Sequence, residues 1–100
     1  MSPRANQKIS SPLEMFGEVK GTWSFEANLP ATLTDSEGNI IVEGYATLQG
    51  DWMTTDYVPF KGVLTFTKPD TSKQGYLILK KDNPSDQREL DDSVKIPVRF

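Results

Sequence analysis

Between Phe25 and Thr34 every second side chain is apolar. Phe25, Ala27, Leu29, Ala31 and Leu33 alternate with Glu26, Asn28, Pro30, Thr32 and Thr34. A repeat of two puts the apolar set on one side of an extended chain and the polar set on the other, which is strand geometry and not helix geometry. The pattern recurs. Ile40 to about Gln49 places Ile40, Val42, Ala46 and Leu48 on one face, with Glu43, Tyr45 and Thr47 on the other, together with Ile41. Leu64 and Phe66 alternate in the stretch ending at Thr67, Leu77 and Leu79 between Gly75 and Lys81, and Val94, Ile96, Val98 and Phe100 at the close. No stretch holds a helical period for more than about a turn.

Turn signals separate these runs. Asp35-Ser36-Glu37-Gly38-Asn39 is the strongest, with an aspartate able to bond the backbone two residues on and a glycine free to take positive φ. Asp70 to Gly75 and the polar stretch Asp82 to Asp92 break the chain later. Upstream, Ile9 to Leu13 reads as a short strand ended by Pro12, and Met15 to Trp23 as a second. Pro30 points to an edge position or a bulge, because proline cannot donate to a ladder. The result is about seven short strands with hairpin connections, hence an all-β chain with antiparallel pairing. An immunoglobulin-like two-sheet sandwich is the expected architecture, with a small barrel second. Residues 1–8 lack periodicity and read as a disordered stub or linker, leaving 9–100 as the single domain.

Composition narrows the chemistry. The chain has no cysteine and no histidine. Disulfides, thiolate ligands and Ser-His-Asp or Cys-His mechanisms are therefore excluded. The formal charge of -3 and the isolated basic pair Lys80–Lys81 argue against a nucleic-acid partner. No apolar run approaches the roughly 20 residues that span a bilayer, so membrane association is expected only through a lipid anchor outside the domain. The residues alone leave open a cytoplasmic protein or a domain of a longer exported chain.

Three constellations are candidates for function. Carboxylate pairs (Asp35 with Glu37, Asp51 with Asp56, Asp91 with Asp92) lie in polar loops, where nothing raises a pKa for acid catalysis, so no catalytic residue is expected. The oxygen-rich loop Asp82, Asn83, Asp86, Glu89, Asp91 and Asp92 does not match the spacing of a helix-loop-helix calcium site, and neither a metal nor a cofactor is expected. Aromatics form the third group, Trp23, Trp52, Tyr57 and Tyr45. Trp23 is assigned to the core. Trp52, Met53, Asp56 and Tyr57, in the crossing loop from Trp52 to Phe60, form the expected partner-binding surface, joined by Asp82 and Asn83.

Several segments together carry a likeness: Gly21-Thr22-Trp23-Ser24-Phe25-Glu26-Ala27; Leu33-Thr34-Asp35 with Gly38; Trp52 to Phe60; Leu77-Ile78-Leu79-Lys80-Lys81-Asp82-Asn83-Pro84-Ser85; and Ile96-Pro97-Val98-Arg99-Phe100. In this order, over about Ile9 to Phe100, the chain resembles the immunoglobulin-like domain of bacterial spore germination, a module of bacterial envelope proteins. The resemblance implies an immunoglobulin-like sandwich, an extracytoplasmic or lipoprotein setting and no catalytic residues. Two departures stand out: the compact Lys20-Gly21-Thr22-Trp23, and Ser85-Asp86-Gln87 where a glycine is expected. The implied role is a non-enzymatic interaction or spacer module of the cell envelope, linked to germination or envelope assembly, with an envelope protein as partner. The alternative is a carbohydrate-binding module that stacks cell-wall glycan on Trp52 and Tyr57.

Overall fold

A computed structural model describes residues 2–23, 27–50, 56–69, 73–81 and 93–100. Its seven strands are β1 (Gln7–Lys8), β2 (Leu13–Lys20), β3 (Asn28–Asp35), β4 (Ile40–Leu48), β5 (Tyr57–Leu64), β6 (Gln74–Lys80) and β7 (Ser93–Arg99), with one 3-10 turn at Gly21–Trp23. They form one sheet in the order β1-β7-β6-β3-β4-β5-β2, antiparallel throughout except for the β1–β7 pair. Among the described residues no helix is long and apolar enough to cross a membrane.

The two separate layers expected from the sequence are, in hydrogen bonding, one curled sheet. The joint is β4. It follows β3 along most of its length but meets β5 only at Thr47–Lys61 and Leu48–Phe60. Two glycines fit the chain to this bend. A Cβ on Gly62 would lie 2.9 Å from the Ala46 Cα, and one on Gly44 would lie 2.8 Å from the Leu64 Cδ2. Inside the curl a single apolar cluster includes Leu29, Leu33, Ala46, Leu64, Leu77 and Val98, with Val42 and Phe66 packed against it. These are rows that the period of two selects. Phe66 and Phe100 close one end edge to face, with ring centroids 6.0 Å apart, a favoured aromatic geometry.

Several local expectations shift. Tyr57 to Phe60 is strand and not loop, since Val58 and Phe60 join Leu64 on the buried face. Ile40 is 60% exposed. The register slips between Leu33 and Thr34, so that Thr34 faces Ile40 and Leu33 faces Val42. Ile41 is thus the extra residue of a bulge, and the alternation changes face across it. Strand β3 is central, not an edge. Pro30 is tolerated because pairing with β6 begins only at Ala31. Trp23 is half-buried and packs against the core from the 3-10 turn.

The N-terminal residues, polar and aperiodic, are held through the backbone. Ser2 exchanges two hydrogen bonds with Phe16 on β2, while Asn6 and Ile9 donate to Pro97 and Arg99 on β7. Pro3 is buried. One short segment thus touches both edges of the curled sheet.

The β3–β4 connection is a side-chain-capped turn. The Asp35 Oδ1 accepts from the Glu37 and Asn39 amides at 2.9 Å each, and its Oδ2 accepts from the Asn39 side-chain amide at 3.0 Å. Gly38 takes φ +87. These bonds, the Asn39 side chain first, hold the Asp35 carboxyl below its ordinary 3.8. A folded value below the unfolded one means stability that is fully present above the ordinary pKa and lost as pH falls through the lowered value. Asp35→Ala is accordingly expected to lower the melting temperature at neutral pH, with the gap to wild type closing below about pH 4. Melting both proteins between neutral and strongly acidic pH checks this; a gap independent of pH overturns it.

Candidate functional site

Two of the six residues assigned to partner binding lie in described structure. Asp56 is exposed in a bend, and its carbonyl accepts from the Gly21 amide at 3.1 Å. Tyr57 opens β5 opposite Lys20 and is 66% exposed. Trp52, Met53, Asp82 and Asn83 lie outside the described residues, as does the whole oxygen-rich loop from Asp82 to Asp92. Among the described residues no group of three or more acidic side chains is placed to hold a metal ion. Of the carboxylate pairs, only Asp35 with Glu37 is described, and Asp35 is committed to its turn with a lowered pKa. That is the wrong direction for an acid catalyst.

Tyr57 belongs to a larger surface that the sequence reading missed. Because β2 and β5 pair in register, the outward row Glu14, Phe16, Glu18 and Lys20 lies beside the outward row Val63, Lys61, Pro59 and Tyr57. Thr47 of β4 continues the row at Lys61, and Tyr45 lies two residues away on the same face. The five large apolar side chains exposed among the described residues are Phe16, Ile40, Tyr45, Tyr57 and Val63. All but Ile40 stand on this face. An open cleft of about 620 Å³ runs across it, lined by Glu14, Phe16, Thr47, Gln49, Lys61 and Val63 among others.

The outer face of the β3–β6–β7 half differs. There the Lys95 ammonium sits 4.2 Å from the centre of the Tyr76 ring, and Tyr76 and Ile78 are half-buried. A cation over a ring and a covered aliphatic leave little apolar surface for a partner. One signal for the β2–β5 face was present in the sequence: Phe16 is a lone aromatic in an otherwise charged row, Glu14-x-Phe16-x-Glu18-x-Lys20. Finding it required the parity of β2, which the glycines at 17 and 21 blur.

The chemistry of this face is that of contact. Three aromatic rings, a valine and a proline are flanked by two glutamates and two lysines, with Thr47 and Gln49 as neutral hydrogen-bonding groups. No curated protein matches the chain, and no solved structure does. A family model does match, over residues 1–88, and it covers strands β1 to β6 with the turn and the face just described. The chain therefore belongs to the family described as the immunoglobulin-like domain of bacterial spore germination.

Proposed function

We propose that this domain is a non-enzymatic interaction module of a bacterial cell-envelope protein. Its contact surface is the outer face of β2 and β5 with the end of β4, and its ligand is a protein. The observation that carries the reading is that Phe16, Tyr45, Tyr57 and Val63, all more than half exposed, share one face, with Phe16 and Val63 diagonal neighbours along its cleft. Single exposed apolar residues are ordinary, whereas a contiguous group rimmed by charge marks a binding surface. Family membership and the Tyr57 end of the expected loop support the same assignment.

A second reading rests on Tyr57. A ring 66% exposed at the start of β5 offers a stacking surface for cell-wall glycan.

One experiment addresses both. Wild type, Phe16→Ser with Val63→Ser, Tyr57→Ala, and Ile40→Ser as a control for exposed apolar residues elsewhere are immobilised. Each is offered solubilised envelope proteins of a spore-forming bacterium and, separately, purified peptidoglycan. The protein reading expects a defined partner whose affinity falls about tenfold or more with the Phe16/Val63 change, and unchanged capture by Ile40→Ser. Equal capture by all variants overturns it. The glycan reading stands only if peptidoglycan retains the wild type and Tyr57→Ala abolishes that retention.

A further inference from the structure

Strand β2 is the last strand of the sheet, and its outward edge is only partly covered. Ser2 takes the N–H and the C=O of Phe16, which fixes the phase of the whole strand. In a regular antiparallel ladder, residues two apart present their backbone groups to the same side. Glu18 and Lys20 therefore direct their N–H and C=O away from β5, while Gly21, of opposite parity, donates inward to the Asp56 carbonyl. Opposite Glu18 stands Pro59, which has no N–H to offer. Its carbonyl accepts instead from Gln49 on the β4 side. Among the described residues nothing bonds the outward backbone of Glu18 or Lys20.

The other edge is treated differently. Along β7, segment 6–9 covers the end from Pro97 to Arg99. Proline removes one outward donor there, and Lys95 adds a positive charge to the open part. A proline and charges of one sign are the usual guard against edge-to-edge pairing. On β2 the open positions beyond Phe16 carry one charge of each sign, and both side chains are exposed. That pattern does not repel a second copy of itself.

We propose that two copies of this chain associate through β2, antiparallel and two-fold, about Val19. In that register Glu18 of one copy faces Lys20 of the other, and Lys20 faces Glu18. Each facing pair exchanges two backbone hydrogen bonds, and both place opposite charges on the same outer face of a now continuous sheet. An isologous contact of this kind repeats every interaction twice. The neighbouring registers are unfavourable: one sets Glu18 against Glu18, the other Lys20 against Lys20, and like charges directly opposite are destabilising. Pairing stops at both ends for structural reasons. Ser2 occupies the edge at Phe16, and the 3-10 turn from Gly21 carries the chain off the strand axis. So short a contact makes a weak, concentration-dependent dimer, not an obligate one.

The test is a charge-swap cycle read by sedimentation equilibrium of the full chain at low salt, from about 10 μM to about 1 mM. Wild type is expected to dimerise within that range. Glu18→Lys sets Lys against Lys at both symmetry-related sites, and Lys20→Glu sets Glu against Glu. Each single change is expected to weaken association about tenfold or more. The double swap, E18K with K20E, recreates the attraction with the charges exchanged and is expected to return affinity to within about threefold of wild type. As a second measurement, amide exchange at Glu18 and Lys20 slows as wild-type concentration rises. A wild type monomeric throughout, single swaps without effect, or a double swap as weak as the singles each overturns the proposal.

Discussion

Gly75→Ala is expected to destabilise this domain more than the addition of one methyl group suggests, by roughly 3–5 kcal/mol. Gly75 lies in β6 between Asp35 on β3 and Val98 on β7. A Cβ there would collide with the Thr34 carbonyl oxygen and stand 2.8 Å from a carbon of the Phe100 ring. The ring is not free to give way, because Phe100 also meets Phe66 edge to face and its amide donates to the Lys73 carbonyl. The carbonyl has less freedom, because Thr34 pairs with Tyr76 on one side and Ile40 on the other. Relief therefore demands movement of a ladder, not of one side chain. Against a total stability of about 5–15 kcal/mol for a domain of this kind, such a loss leaves it marginal. The melting temperature is expected to fall by roughly 15 °C or more. Gly38→Ala is the informative control. Its Cβ would meet nothing within 4 Å, yet φ is +87, so the cost is conformational and about 1–2 kcal/mol. Melting curves ranking the two variants the other way round would refute the packing argument.

The same contrast shows which features a sequence makes legible. Period-two alternation reports which side chains share a face, and it located the inner rows of Leu29 and Leu33, Leu64, and Val98 and Phe100 correctly. Leu77 and Leu79, with apolar Tyr76 and Ile78 on the other side, gave no inner face from the pattern alone. It does not report which strand bonds to which. A curled sheet and two facing layers have the same inner rows; the distinction lies in two backbone pairings, Thr47–Lys61 and Leu48–Phe60. The bulge at Ile41 escaped for a related reason: an apolar residue on either side of an inserted position satisfies the alternation equally well. Tyr57 to Phe60 was hidden by Pro59, whose presence argues against a strand. In the fold that proline sits opposite Glu18, where no bond to β2 is required of it. The attachment of residues 2–9 left little trace in the side-chain pattern, since most of its bonds to the sheet join main-chain atoms, and the Arg99 side chain, whose Nε donates to the Asn6 carbonyl at 2.8 Å, adds to them. For the candidate site, residue type alone singled out Asp56 and Tyr57, and the structure places both at the surface. That Tyr57 shares a face with Phe16 and Val63 became visible only with the β2–β5 register.

Leu77→Ala is expected to cost about 2–5 kcal/mol, the range for a leucine truncated within a close-packed interior. Leu77 is fully buried, faces the equally buried Leu33 on β3, and faces Ile96 on β7. It stands in the middle of three adjacent strands, between neighbours that are themselves held in ladders. Residual cavity volume is what raises the cost above the transfer term. The expected fall in melting temperature, at about 4–8 °C per kcal/mol for a domain of up to a hundred residues, is well outside experimental error. Phe16→Ala removes a larger side chain from the outer face, where the ring is 51% exposed, and is expected to change stability by about 0.5 kcal/mol or less. The two substitutions therefore separate the roles of the two faces. If the proposed contact face is right, Leu77 acts on folding and Phe16 on partner binding, and each should leave the other readout unmoved once the fraction folded is taken into account. A Phe16→Ala protein as unstable as Leu77→Ala would place that ring in the core. The proposed contact face would then be without its central aromatic.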